Sequence, residues 1–397
     1  AASKPKVDRF ITKFSRVYTP IVVFLALGTA VLPPLVAGGD WNYWIYTALS
    51  FLVMSCPCAL VLSVPLAFFS GIGAGSKKGI LFKGGVALES MADIKAVVMD
   101  KTGTITEGNF VLQKTVTVGN TDEDTLLRLA ASCEQVSTHP IANSIVTAAK
   151  EKGMELTRPS TLKEIAGEGI LAVMDGNVIL CGNKKLMEHH NIDISAYNNE
   201  VFGTEVLVAI EGEYAGYLVI SDTIKADAKS AIAAIKKQNI VTAMLTGDAQ
   251  NSAEAVAKET GIDEVHAKLL PQDKLSTLKK LRETYTSVMF VGDGINDAPV
   301  LAGADVGAAM GSGADAAIEA ADVVFMTSSM SAIPDALRIA KSAVSISWQN
   351  IIFALAIKIA VMILGLCGFA SMWMAVFADT GVAMLCVLNS IRVLYKK

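Results

Sequence analysis

The sequence has no basic tract interleaved with aromatic side chains; its 34 lysines and arginines are spread among 38 acidic residues. Without a clustered positive face a chain lacks the electrostatic footprint for nucleic acid, and that class of partner is excluded. Cysteine is sparse, six in 397 residues, scattered apart from one close pair. That argues against a secreted disulfide framework. There is no low-complexity segment and no repeat at a fixed period. A cleavable leader is not expected either, because the first apolar run is too long and begins too late. Charge is thin as well: 18% of residues are charged and 52% hydrophobic, with a net charge of -4. The length allows two to four domains, and the composition suits a membrane protein with a large soluble head.

Apolar residues concentrate at the two ends. Residues 18–37 and 41–75 are uncharged and joined by Gly38-Gly39-Asp40, which predicts a helical hairpin. Residues 351–370 and 372–394 predict a second hairpin, joined near Gly368. Basic residues flank the outer ends: Lys4, Lys6, Arg9, Lys13 and Arg16 first, then Lys77 and Lys78, and finally Arg392, Lys396 and Lys397. The positive-inside rule puts both connecting loops outside and the middle of the chain in the cytosol. The lipid bilayer is thus an expected partner, and the expected location is a cell membrane, crossed several times.

The cytosolic stretch carries the chemistry. Residues 95–99 are a mostly apolar run ending in Asp100-Lys101-Thr102-Gly103-Thr104. A strand that ends in aspartate sets a carboxylate at the edge where α/β folds build their sites. Lys101 neutralises phosphate charge, Thr102 and Thr104 add hydroxyls, and Gly103 permits close backbone approach to an anion. The chemistry implied is attack by Asp100 on the γ-phosphate of ATP. Two more apolar runs end in Thr246-Gly247-Asp248 and in Gly292-Asp293-Gly294-Ile295-Asn296-Asp297. Asp100 and Asp293 can share one Mg²⁺, with Thr102 as a further candidate ligand. Lys274 can clamp the transferred phosphoryl group, and Thr246 and Asn296 can hydrogen-bond its oxygens.

Between these motifs the pattern changes. Helices are expected over residues 122–133 and 140–152, followed by short strands that turn at Asp175-Gly176-Asn177 and at Glu211-Gly212-Glu213. One domain is inserted into another. The expected division is 1–94, a membrane hairpin and linker; 95–112 and 221–344, a phosphorylation domain in two parts; 113–220, the insert; and 345–397, the second hairpin.

Three features lie in the expected spans. Cys56-Pro57-Cys58 places two thiols around a proline that breaks the helical turn, so both sulfurs can face one soft or borderline ion. Lys358 and Asp379 are charges within the second hairpin, where a charge near the bilayer centre costs at least about 2.5 kcal/mol and signals function. Asp379 can supply an oxygen ligand, and Lys358 can balance its charge and help displace the ion. A purely structural Lys358–Asp379 ion pair is the alternative, and both readings can hold at different steps.

Taken together, these motifs resemble the P-type ATPases, whose phosphorylation domain has the haloacid dehalogenase fold. The match rests on residues 100–104, Thr246-Gly247-Asp248 and residues 292–299. It implies that Asp100 is phosphorylated by ATP and that Asp293 holds Mg²⁺, with Gly247, Asp248 and Asp297 in the catalytic set. Glu134, the His139-Pro140 pair, Gly167 and Gly169 resemble the heavy-metal branch, where the corresponding residues line the ATP adenine pocket. Cys-Pro-Cys with Lys358 and Asp379-Thr380-Gly381 resembles its zinc/cadmium/lead class, which implies transported Zn²⁺, Cd²⁺ or Pb²⁺ and a bacterial plasma membrane. The fold class expected is membrane α-helical hairpins with a cytosolic α/β haloacid dehalogenase-like phosphorylation domain and an inserted α+β nucleotide-binding domain. No Thr-Gly-Glu of an actuator domain is present. The chain is therefore expected to be a carboxyl-terminal portion whose partner is the amino-terminal part of the same pump. The alternatives are a non-pumping, membrane-anchored ATP-binding or phosphatase-like module and, more weakly, another P-type cation pump.

Overall fold

The structure is a computed structural model that describes residues 10–54, 58–119, 121–137, 139–198, 203–366 and 372–395. The chain divides into two compact units. One takes in Ala1–Met99, Ser230–Ala243 and Leu270–Lys397, and the other Asp100–Lys229 and Met244–Leu269.

The first unit holds the apolar helices. Among the described residues, Arg16–Val36, Ala332–Leu364 and Phe377–Tyr395 are long and apolar enough to cross a membrane. The second expected span is described as two helices, Trp41–Met54 and Cys58–Lys77, on either side of residues outside the described set. Phe24, Ile352, Phe377 and Leu388 stay exposed on these helices, as surfaces that face lipid do. Inside the bundle, Val64 packs on Ile351, and Ala354 packs on Val382 and Cys386. A polar clasp joins three helices. Asn350 Nδ2 donates to Ser390 Oγ at 2.8 Å, Asn389 Nδ2 to Asn350 Oδ1 at 2.8 Å, and Ser390 Oγ to the Ser63 carbonyl at 2.9 Å. Where water is scarce, such satisfied polar groups hold helices together.

A seven-stranded sheet forms the α/β part. Its strand order is Ile80–Phe82, Val323–Phe325, Val306–Met310, Val288–Gly292, Ala96–Asp100, Val241–Leu245, Glu264–His266. The first strand is antiparallel to its neighbour, and the next three pairings are parallel. Val97, Val98, Met99, Phe290 and Val291 are fully buried, as both faces of a parallel sheet require. The Pro271–Tyr285 helix starts with proline in its first turn, and Asp273 Oδ2 accepts from the Leu270 N–H at 3.2 Å, which fixes where Lys274 begins.

The second unit is built on a six-stranded antiparallel sheet, ordered Thr106–Thr117, Glu213–Ile224, Thr204–Ile210, Asn177–Gly182, Gly169–Met174, Thr161–Ile165. Its side chains alternate. Val208 and Leu218 face the Glu123–Glu134 and Pro140–Glu151 helices, while Leu207 and Val219 face Leu186 and Met187. Both expected hairpin turns form, with Asp175 and Gly176 at φ 51° and 88°, and Glu211 and Gly212 at φ 50° and 86°. Pairing in this sheet starts at Thr106 opposite Ile224, upstream of the expected boundary at Gln113. That strand begins directly after the Lys101–Ile105 turn, so no long loop marks a change of domain in the sequence.

Candidate functional site

Asp100 ends the fully buried Ala96–Asp100 strand and is itself 8% exposed. The chain turns at once through Gly103 at φ 70°, a conformation that a Cβ disfavours. Three contacts hold this turn in the second unit. Lys101 pairs with Asp248, buried Lys225 donates from Nζ to the Gly103 carbonyl at 2.9 Å, and Thr106 Oγ1 donates to the Lys101 carbonyl at 3.0 Å. Thr106 also meets the carboxyl of Asp222, whose other oxygen accepts from the Gly108 N–H at 2.9 Å. Burial raises the Asp222 carboxyl above the usual carboxylate range. Thr102 is exposed and Thr104 is buried.

Thr246 follows the Val241–Leu245 strand, is buried, and accepts the Asp248 N–H on Oγ1 at 3.1 Å. Gly247 lies close to the chain behind it, since a Cβ there meets the Leu269 carbonyl at 3.3 Å.

In the first unit, Asp293 follows the Val288–Gly292 strand. Asp297 is 2% exposed, takes Lys274 Nζ on Oδ1 at 3.0 Å and accepts the Gly294 N–H on Oδ2 at 3.2 Å. Carboxylate oxygens of Asp293 and Asp297 lie within 4.8 Å of each other. A Cβ on Gly292 would stand 2.9 Å from Asp297 Oδ2, so glycine is what lets that carboxylate fold back over the strand end. Asn296 is exposed. The parallel register pairs Met99 with Val291. The Val288–Gly292 strand that leads into Asp293 thus runs parallel to residues 96–99.

The insert's expected ligand residues fall at two element boundaries. Glu134 ends its helix, buried, and accepts from Cys181 Sγ at 3.8 Å. Burial pushes the Glu134 carboxyl up to about 7, and pushes the neighbouring Cys133 thiol up to about 12. His139 caps the next helix, its Nδ1 accepting from the Ile141 N–H at 3.3 Å, with Pro140 in the first turn. Gly167 sits at φ 75° with open space where a Cβ would project. Gly169 sits at φ 145°, and a Cβ there would stand 2.4 Å from the Cys181 carbonyl.

In the membrane helices Lys358 and Asp379 meet, Nζ to Oδ1 at 3.3 Å. Asp379 lies in a π-helical turn, Phe377–Gly381, inserted into the last helix. Wide turns of this kind are rare and gather at functional positions. Cys56 lies outside the described residues, and Cys58 begins the Cys58–Lys77 helix.

Sequence reasoning passed over Asp222, Lys225 and Cys181. The signal for the first two was faint: a charge pair three apart, Asp222 and Lys225, closing an apolar strand.

The family model for haloacid dehalogenase-like hydrolases matches residues 94–305. The chain is 49% identical to the cadmium, zinc and cobalt-transporting ATPase of Bacillus subtilis, over 100% of this chain and 57% of that one. It is 46% identical to the zinc-transporting ATPase of Synechocystis sp., over 99% of this chain and 55% of that one. It thus spans a little over half the length of these curated relatives. Among solved structures it is similar to a zinc-transporting PIB-type ATPase in the E2.Pi state, with a TM-score of 0.88 and 36% identity, covering 98% of this chain and 64% of that one.

Proposed function

Because the chain belongs to the haloacid dehalogenase-like hydrolases and, among them, to the heavy-metal P-type ATPases, we propose that it carries the catalytic and ion-binding machinery of an ATP-driven exporter of Zn²⁺ or Cd²⁺, with Pb²⁺ as a third candidate cargo. The observation that carries this reading is a buried aspartate, Asp100, at the carboxyl end of a fully buried strand and followed at once by a glycine turn. Asp100 is the nucleophile. Lys101 and Lys274 neutralise phosphoryl charge, each held in place by a carboxylate, Asp248 and Asp297. Thr246 and Asn296 are the hydrogen-bonding residues, and Gly247 gives the backbone close approach.

Hard oxygen donors at this edge fit Mg²⁺, and Asp100, Thr102 and Asp293 would hold it. When bound, the ion supplies charge neutralisation between phosphate and carboxylates. For ATP, Glu134, His139, Gly167 and Gly169 form the adenine end. The open space at Gly167 and the helix cap at His139 support that role. Labelling with γ-³²P-ATP tests the reading: acid-stable label is expected on the parent chain and none on Asp100→Asn. Label that persists in the variant overturns the assignment.

The cargo site is Cys56, Cys58 and Asp379, with Lys358 as an internal cation. Two soft sulfurs and one carboxylate suit a borderline divalent ion. Replacing both cysteines with serine is expected to remove high-affinity Cd²⁺ binding measured by calorimetry. The expected setting is a bacterial plasma membrane, with the α/β parts cytosolic and the amino-terminal part of the same pump as working partner.

A further inference from the structure

A cleft of about 700 Å³ lies in the first unit, between the Ala228–Lys236 helix and the first turns of Ala332–Leu366. Its charged lining is Lys237, Asp335, Arg338 and Lys341. Asp335 is occupied: Lys78 Nζ binds it at 2.7 Å, and Arg338 binds its other oxygen. Among the described residues neither Lys237 nor Lys341 has an acidic partner. Lys341 reaches only the Gln238 carbonyl, at 3.4 Å, and Lys95 adds a further positive charge close by. Ser342 and Ser345 contribute hydroxyls to the same wall. The cleft therefore offers surplus positive charge and hydroxyl donors, the chemistry that receives a phosphate.

The cleft's position selects the source of that phosphate. Lys78 follows directly on the Cys58–Lys77 membrane helix, so its bond to Asp335 ties the lining to that helix end. A hydrocarbon core of about 30 Å takes about 20 helical residues. Exposed Trp348, an interfacial residue type, marks where that core begins on this helix. Ser345 then lies about 4.5 Å outside the core and Lys341 about 10.5 Å outside, which a lysine stem spans to reach the headgroups.

We propose that Lys237, Lys341, Ser342 and Ser345 bind the phosphate of an anionic phospholipid from the cytosolic leaflet. The proposal rests on the cytosolic placement of this helix end and is independent of the phosphorylation chemistry.

The test uses the full chain in phosphatidylcholine nanodiscs with spin-labelled phosphatidylglycerol or phosphatidylcholine, and reads the relative association of the two. Phosphatidylglycerol is expected to be preferred. Lys237→Ala, an exposed change that removes no hydrogen bond, should lower the preference about fivefold, while Lys237→Arg keeps it. Lys341→Ala should lower it further. Arg392→Ala, at the cytosolic end of another membrane helix, is the control for diffuse attraction. Equal losses in Arg392→Ala and Lys237→Ala overturn the proposal, as does an unchanged preference in Lys237→Ala with unaltered thermal unfolding. Displacement of the lipid by excess inorganic phosphate would reassign the cleft to a soluble phosphate. Displacement by an acidic peptide would reassign it to a protein partner, and either result overturns the lipid.

Discussion

Lys358 and Asp379 face each other at 3.3 Å but are unequally covered: the lysine side chain is 9% exposed and the aspartate 35%. The ammonium has spent its freedom on one carboxylate. The carboxylate keeps an open side, which is what a residue needs if it is to hold a second cation in turn. Asp379→Asn should strand the buried ammonium and cost about 3–5 kcal/mol, read as a fall in the thermal midpoint in detergent. Lys358→Met combined with Asp379→Leu should recover most of that loss. Lys358→Ala should leave Cd²⁺ binding largely intact and slow metal release. A double variant as unstable as Asp379→Asn alone would show that the pair is not the source of the cost.

Asp248 holds Lys101 next to the proposed nucleophile. Asp248→Asn keeps the shape but weakens that hold. Rapid-quench labelling from ATP should slow about 10²-fold, in the range seen when one charge-stabilising group is lost. Labelling at the parent rate would mean that Lys101 needs no anchor.

Glu134 predicts a pH dependence. Burial lifts its carboxyl from 4.5 to about 7. Between those values the folded protein keeps a proton that the unfolded chain has lost, so this group's contribution is full below about pH 4.5 and lost as pH rises through about 7. Glu134→Gln should therefore gain on the parent at pH 8 relative to pH 5, by up to about 3 kcal/mol. Urea midpoints at the two pH values measure it. Identical slopes for parent and variant would show that the carboxyl is already ionised at pH 5.

Gly169 occupies φ 145° with the Cys181 carbonyl 2.4 Å from where a Cβ would go. Gly169→Ala should destabilise by about 2–4 kcal/mol through strain and clash together. Gly167→Ala, at φ 75° with open space, should cost only about 1 kcal/mol. Comparable thermal shifts for the two would contradict the close strand approach at Gly169.

What the sequence revealed and what it hid divide along a physical line. The strands that end in Asp100 or lead directly into Thr246 and Asp293 were legible because an apolar run and the residue that closes it are adjacent in the chain. Both hairpins were legible because Asp175-Gly176 and Glu211-Gly212 encode their own turn. The Lys225–Gly103 and Asp222–Gly108 bonds were not, since each joins residues more than a hundred positions apart and is fixed only by the strand register. The π turn at Asp379 was hidden for another reason: Phe377 to Gly381 has no residue type that distinguishes a wide turn from an ordinary one. The three-helix clasp around Asn350 was likewise invisible, because an asparagine and a serine in apolar helices do not name their partners.

The helix from Ala332 to Leu366 is continuous for 35 residues, and that makes it a lever. Lys358 lies 26 residues from its amino-terminal end, about 39 Å along the axis. A tilt of about 5° at that end displaces the ammonium sideways by about 3 Å. The whole Lys358–Asp379 separation is 3.3 Å. An angular change too small to disturb the packing at the pivot is thus large enough, at the far end of the rod, to make or break the contact that holds the carboxylate.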